Sequence, residues 1–100
     1  MTVYAIAQIS IHDRERYDRY VAGFMSILDK YQGKLLAADE APEVVEGDWD
    51  YDKVVLMAFE DHVTFQRWAN SEEYQEISRD RIAATEGVTL LVQGLSSPRR

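Results

Sequence analysis

The hydrophobic pattern of this chain switches between two periods. From Val3 to Ile11 it alternates: Val3, Ala5, Ala7, Ile9 and Ile11 share one face of an extended segment, and Tyr4, Ile6, Gln8 and Ser10 share the other. This predicts a first strand. Asp13 then offers an N-cap side chain, and Tyr17, Tyr20, Val21, Phe24, Ile27, Leu28 and Tyr31 follow at steps of three and four, the apolar stripe of a long helix. Gly33 reads as its C-terminal stop. Lys34 to Ala38 is a second strand, Asp39 to Pro42 a turn, Glu43 to Glu46 a further extended run, and Gly47 to Tyr51 a loop. Lys53 to Phe59 is a strand with Val54, Leu56 and Ala58 opposite Val55, Met57 and Phe59. Asp61 and Ser71 read as caps of two shorter helices. The first carries Val63, Phe65, Trp68 and Ala69. The second carries Tyr74, Ile77, Arg81 and Ile82, with Glu72 and Glu73 near the positive end of its dipole. Gly87 closes it, and Val88 to Leu95 is the last strand.

The resulting order, β-α-β-β-α-β, is the ferredoxin-like α+β arrangement with an antiparallel sheet. One domain spans residues 1–95, and residues 96–100, with Arg99 and Arg100 after Pro98, are expected as a frayed tail. Right-handed crossovers place both helical regions on the same sheet face. Yet the strands are apolar on both faces, whereas a half-solvated sheet alternates apolar with polar. The uncovered face would exceed the few hundred Å² that monomers tolerate. The pattern therefore predicts a homodimer packed sheet to sheet about a two-fold axis.

Composition narrows the classes of function. One hundred residues make one domain with a modest core, and a net charge of −7 argues against a nucleic-acid partner. The chain has no cysteine, so disulfide and thiolate chemistry are excluded and a reducing cytoplasm is the expected location. The first eleven residues lack the basic start and small-residue cleavage site of a signal peptide, and no apolar run approaches the roughly 20 residues of a membrane span.

Chemistry-bearing residues cluster between Glu43 and Lys53. Glu43, Glu46, Asp48, Asp50 and Asp52 read either as a general acid or base at a pocket mouth or as a solvated turn whose carboxylates bind local backbone. Glu46, at a strand end, can face Lys53 or an arginine. Trp49 has the area to close an apolar pocket or to anchor an interface. Trp68 lies on a helical stripe with Phe65 and reads as core. Tyr74 and Tyr4 each read as a core residue or as a proton donor in a cavity. His12 and His62 both stand beside an acid at a helix start, with no spacing that makes a metal site, and no Gly-rich phosphate loop is present.

Glu43-Val-Val-Glu-Gly-Asp-Trp49, Lys53, Phe59, Trp68, Ser71-Glu-Glu-Tyr-Gln75 and Val92-Gln-Gly94 together resemble the DUF1330 family over Val3 to Leu95. The resemblance implies the dimeric α+β barrel superfamily, whose members include small-molecule monooxygenases, lactone isomerases, haem-degrading proteins and stress-response dimers. It implies no particular reaction. The chain departs from the family at Tyr31-Gln32-Gly33, where a His-Gly-Gly turn is frequent, and at Lys53, where Arg is frequent. Roles needing an imidazole or a bidentate guanidinium there do not carry over.

The expectation is therefore a homodimer with a small apolar pocket between sheet and helices, near the Glu46–Trp49 turn, performing cofactor-independent acid/base chemistry on a small metabolite. Glu46 or Asp48 would move the proton with Tyr74, while Trp49, Lys53 and Tyr4 contact the substrate; no cofactor or metal is expected. The alternative is a non-enzymatic dimer that binds a ligand or a protein.

Overall fold

A computed structural model describes residues 1–95. The element order is β1 (Val3–Ile11), α1 (Arg14–Lys30), β2 (Lys34–Asp39), β3 (Lys53–Phe59), α2 (His62–Ala69), α3 (Glu72–Ala84) and β4 (Thr85–Gln93). The strands form one antiparallel sheet in the order β2-β3-β1-β4. Each crossover therefore skips one strand, α1 passing β3 and the α2–α3 pair passing β1. This is the ferredoxin-like topology.

The caps follow from local chemistry. Asp13 and Asp61 accept backbone N–H bonds from Arg16 (3.2 Å) and Thr64 (2.8 Å), which starts α1 and α2. The Ser71 hydroxyl accepts from the Tyr74 N–H (3.2 Å) and donates to the Trp68 carbonyl (2.8 Å), so one buried side chain ends α2 and starts α3.

Three expectations are corrected. Gly87 does not close α3: the helix ends at Ala84, and Gly87 sits inside β4 opposite Ile9. Gly33 is not the cap of α1: Tyr31 is, and the left-handed backbone falls on Gln32, with φ 67°. Gly33 is required for space, since a Cβ there would stand 2.4 Å from Leu28 Cδ1 and 2.6 Å from Phe59 Cε2. Glu43 to Glu46 forms no strand; it belongs to a long irregular connection between β2 and β3. Asp52 anchors the end of that connection, its N–H bonding the Ile9 carbonyl and its carboxylate accepting from the Ile11 N–H, both at 2.8 Å. The tail expected at residues 96–100 lies outside the described residues.

The core fills the space between the helices and one face of the sheet. Val3, Ala5, Ile9, Met57 and Phe59 meet Tyr17, Tyr20, Phe24 and Leu28 of α1, with Trp68 and Tyr74 completing it. Helices α1 and α3 run antiparallel and close. Gly23 admits the Ile77 methyl, which would lie 3.3 Å from an added Cβ. Ion pairs strap both ends: Arg16 and Arg19 to Asp80 (3.0 and 3.5 Å), and Lys30 to Glu73, which also accepts from the Tyr31 hydroxyl (2.7 Å).

These straps make the helix pair acid-sensitive. Asp80 is held below the ordinary aspartate range, first by the hydrogen bond from Arg16 and then by the Arg19 charge, against an opposing effect of burial. A lowered folded-state value means the contribution is present above the unfolded aspartate range and is lost as pH falls through the folded value. Thermal midpoints measured across an acid series should fall below the carboxylate range, and Asp80→Asn should flatten that dependence. An unchanged slope in the variant would remove Asp80 from the explanation.

The opposite sheet face carries no helix. Its side chains form a grid set by the register: Ala58–Tyr4–Val92, Leu56–Ile6–Leu90 and Val54–Gln8–Val88. Gln8 is the one polar member of these rows on β3, β1 and β4; β2 adds Lys34, Ala37 and Asp39 at their edge, and Ser10 pairs with Glu86 in the next row. Val88, Leu90 and Val92 are each at least 40% exposed.

Candidate functional site

Between α1, α3 and the covered sheet face lies a cavity of about 390 Å³. Its floor comes from alternate residues of the strands: Ala5, Ala7 and Ile9 of β1, Lys53, Val55 and Met57 of β3, and Thr89 of β4. The small side chains of Ala5 and Ala7 leave the volume open. Its walls are aromatic. Tyr20 lies against Tyr17 and Phe24 at centroid distances of 5.7 and 5.6 Å, and Trp68 stacks on Tyr74 at 4.0 Å. Val21, Met25 and Ile82, each more than 40% exposed, line its outer part.

Polar groups enter this apolar space at defined places. The Ser71 cap sets the phase of α3, so Tyr74, Ser78 and Arg81, at steps of four and three, all line the cavity. The Tyr74 and Tyr20 hydroxyls hydrogen-bond to each other at 2.7 Å. Burial, and then the neighbouring Tyr74, push the Tyr20 phenol well above its ordinary value, so it stays protonated. The Arg81 guanidinium carbon lies 5.9 Å from the Tyr20 ring centroid. Trp68 Nε1, Ser78 Oγ and Arg81 Nε are buried and have no hydrogen-bond partner among the described residues.

Lys53 enters from the other side. Its side chain is 11% exposed, its Nζ sits 4.8 Å over the Tyr17 ring, and Glu40 lies 3.9 Å away. Glu40 itself is bound by both terminal nitrogens of Arg14, at 3.0 and 2.8 Å, and that pairing holds its carboxyl below the ordinary range.

The sequence-predicted residues separate into three groups. Tyr74 and Lys53 line the cavity. Tyr4 lies on the helix-free sheet face, and Trp49 reaches that face too, its indole N–H donating to Gln8 Oε1 at 2.9 Å while its ring packs 5.9 Å from Tyr51. Glu46 and Asp48 are exposed in the long connection and do not line the cavity. The pocket lies between sheet and helices, as expected, but it is built by α1, α3 and the covered face of the sheet, and the Glu46–Trp49 turn expected beside it contributes no lining residue. His12 and His62 are exposed at separate helix starts, and the described residues contain no group of three metal-ligating side chains. Tyr20, Ser78 and Arg81 carry cavity chemistry to which the sequence pattern assigns no role. The available signal is the polar character of Ser78 and Arg81 on a helix stripe anchored by Tyr74.

A family model described as a domain of unknown function, DUF1330, matches residues 2–95. No curated protein matches the chain. Among solved structures, a protein of unknown function from Rhodopseudomonas palustris is similar with a TM-score of 0.81 at 15% identity, over 96% of this chain and 84% of that one. SnoaB, a cofactor-independent oxygenase from Streptomyces nogalater, is similar with a TM-score of 0.70 at 12% identity, over 99% and 98% of the two chains. A dimeric ferredoxin-like protein of unknown function from a Jannaschia species gives 0.64 at 20% identity, over 92% and 96%. At these identities the likeness is one of fold.

Proposed function

The chain belongs to the DUF1330 family, a domain of unknown function, and from that premise we propose that it is a homodimer whose subunits each bind a small, largely apolar molecule in the cavity between α1, α3 and the sheet. The observation that carries this reading is the cavity itself. Protein interiors are close-packed, and voids larger than a water molecule are few. A space of about 390 Å³ walled by aromatic rings, in a chain of 100 residues, falls in the size range of ligand sites.

Binding without turnover is the primary reading. The cavity lining contains no carboxylate and no imidazole. Tyr20 is held in its protonated form, and Lys53 is already engaged by Glu40 and the Tyr17 ring. A general base poised near neutral pH therefore has no candidate among the lining residues. Proton transfer by Glu46 or Asp48, with Trp49 as a lid, requires the connection between β2 and β3 to fold over the cavity, and no contact favours that arrangement. Cofactor-independent oxygenase activity is a property of SnoaB; the shared fold alone does not bring it to this chain.

The homodimer half of the proposal rests on the helix-free sheet face. Eight of its nine positions in the central rows of β3, β1 and β4 are apolar, the charged Lys34 and Asp39 standing at the β2 edge, and Trp49 and Tyr51 extend it. A neighbour of the same fold is described as dimeric, which supports the same reading.

The cavity reading is tested by methionine-methyl NMR. Met25 and Met57 line the cavity and Met1 does not. Titration with small naphthalene derivatives should shift the Met25 and Met57 methyl resonances and leave Met1 in place. Shifts absent up to millimolar concentration, or confined to Met1, would refute it.

A further inference from the structure

We infer that the molecule held in the cavity is a flat aromatic carboxylate, its carboxylate received by the Arg81 guanidinium edge, the Ser78 hydroxyl and the Trp68 indole N–H. The inference rests on the ligand-binding reading of the cavity and specifies its chemistry.

Three residues that line this one space each carry a buried polar atom without a partner among the described residues: Trp68 Nε1, Ser78 Oγ and Arg81 Nε. Trp68 and Ser78 are each 3% exposed. A buried donor left unmade costs about 1–3 kcal/mol, so three at one cavity are expected to face a partner that completes them. Indole N–H and guanidinium N–H can only donate, and the serine hydroxyl can do so. The tyrosine pair adds a fourth donor. Two hydroxyls have two protons, the 2.7 Å bond between Tyr20 and Tyr74 uses one, and the accepting tyrosine keeps the other. The group that answers such a set is rich in acceptors.

Charge gives its sign. The chain carries a net charge of −7, yet Lys53 and Arg81 are the charged residues lining the cavity. Lys53 has Glu40 at 3.9 Å, whereas Arg81 has no carboxylate within 4.0 Å among the described residues. An open Nε belongs to the side-on fork with which guanidinium binds two carboxylate oxygens. Shape follows from the walls, where the Trp68 and Tyr74 rings and the Tyr20 and Phe24 rings favour a planar apolar body.

The test is calorimetric titration of the whole protein with 2-naphthoate and with the neutral 2-naphthalenemethanol, which share the ring system. Wild type should prefer the anion by about tenfold or more. Arg81→Gln should erase that preference by weakening the anion far more than the alcohol, and Ser78→Ala should reduce it several-fold. Circular dichroism establishes that each variant is folded, and the Ser78→Ala result stands where Arg81→Gln does not fold. Equal binding of both probes, or tighter binding of the alcohol, overturns the carboxylate inference and leaves the cavity reading intact, the donors then being satisfied by water. A preference that survives Arg81→Gln and disappears in Lys53→Met overturns the assignment to Arg81. Binding of neither probe by wild type up to millimolar concentration overturns the cavity reading itself, and the inference with it.

Discussion

Gly87→Ala should unfold far below the wild-type temperature, because the added methyl meets backbone. A Cβ at Gly87 would stand 2.1 Å from the Gln8 carbonyl oxygen and 2.8 Å from Ile9 Cα. Neither atom can rotate away as a side-chain end would. The strands β1 and β4 must part where they form the longest run of pairs in the sheet, from Val3 opposite Gln93 to Ile11 opposite Thr85. Parting them weakens several ladder hydrogen bonds and lifts β4 from the covered core. The expected loss is about 3 kcal/mol or more, at the high end for a single substitution. For a domain of this size that lowers the melting temperature by roughly 15 °C.

Gly47→Ala supplies the contrast at equal protein concentration. Gly47 has φ +91° and nothing within 4 Å of an added Cβ, so its cost is backbone conformation alone. That is on the order of 1–2 kcal/mol. Thermal unfolding by circular dichroism should rank the two, with Gly87→Ala clearly the less stable. A melt of Gly87→Ala within a few degrees of wild type would show that β1 and β4 are not held this tightly.

The same glycine marks where the sequence becomes illegible. Asp13, Asp61 and Ser71 are readable as caps because capping joins a side chain to a backbone N–H three residues away. The α1 stripe is readable because helix period and burial coincide. Gly87 and Gly33 are misread as helix stops because glycine near a helix end carries that local signal, while their actual constraint is a close neighbour: Gln8 and Ile9 for one, Leu28 and Phe59 for the other. Such contacts have no local signature.

The candidate site divides along the same line. Tyr74 and Lys53 stand out as residue types able to do chemistry, and both line the cavity. Glu46, Asp48 and Trp49 stand out for their density in one turn, but sequence proximity does not decide which side of a sheet a loop covers. Here Trp49 is drawn to the helix-free face by Gln8. Ser78 and Arg81 become conspicuous only once α3 is docked and their polar atoms are found without partners.

Ile6→Lys should convert the proposed dimer to a folded monomer. Ile6 is the centre of the helix-free face, flanked by Leu56 on β3 and Leu90 on β4 in the same row. In an isolated subunit a lysine there keeps its ammonium in water with its stem along the sheet, so the fold survives. In a sheet-to-sheet dimer the same ammonium is buried in the apolar row Ala37–Leu56–Ile6–Leu90, while the carboxylates of the face, Asp39 and Glu86, stand in other rows toward its edges. Stranding a charge in this way costs about 4 kcal/mol per lysine, and the homodimer buries two, so the dissociation constant rises by more than about a thousandfold. Sedimentation at micromolar concentration should report the dimer mass for wild type and the monomer mass for Ile6→Lys, with helical content retained. Val63→Lys, on the exposed side of α2, should leave the dimer intact. Long-range electrostatics works against the expected result: two subunits of charge −7 repel, and an added lysine weakens that repulsion. Dissociation of Ile6→Lys would therefore report burial of the face itself, whereas a dimer mass for that variant, or a monomer mass for wild type, would place the subunit contact elsewhere or remove it.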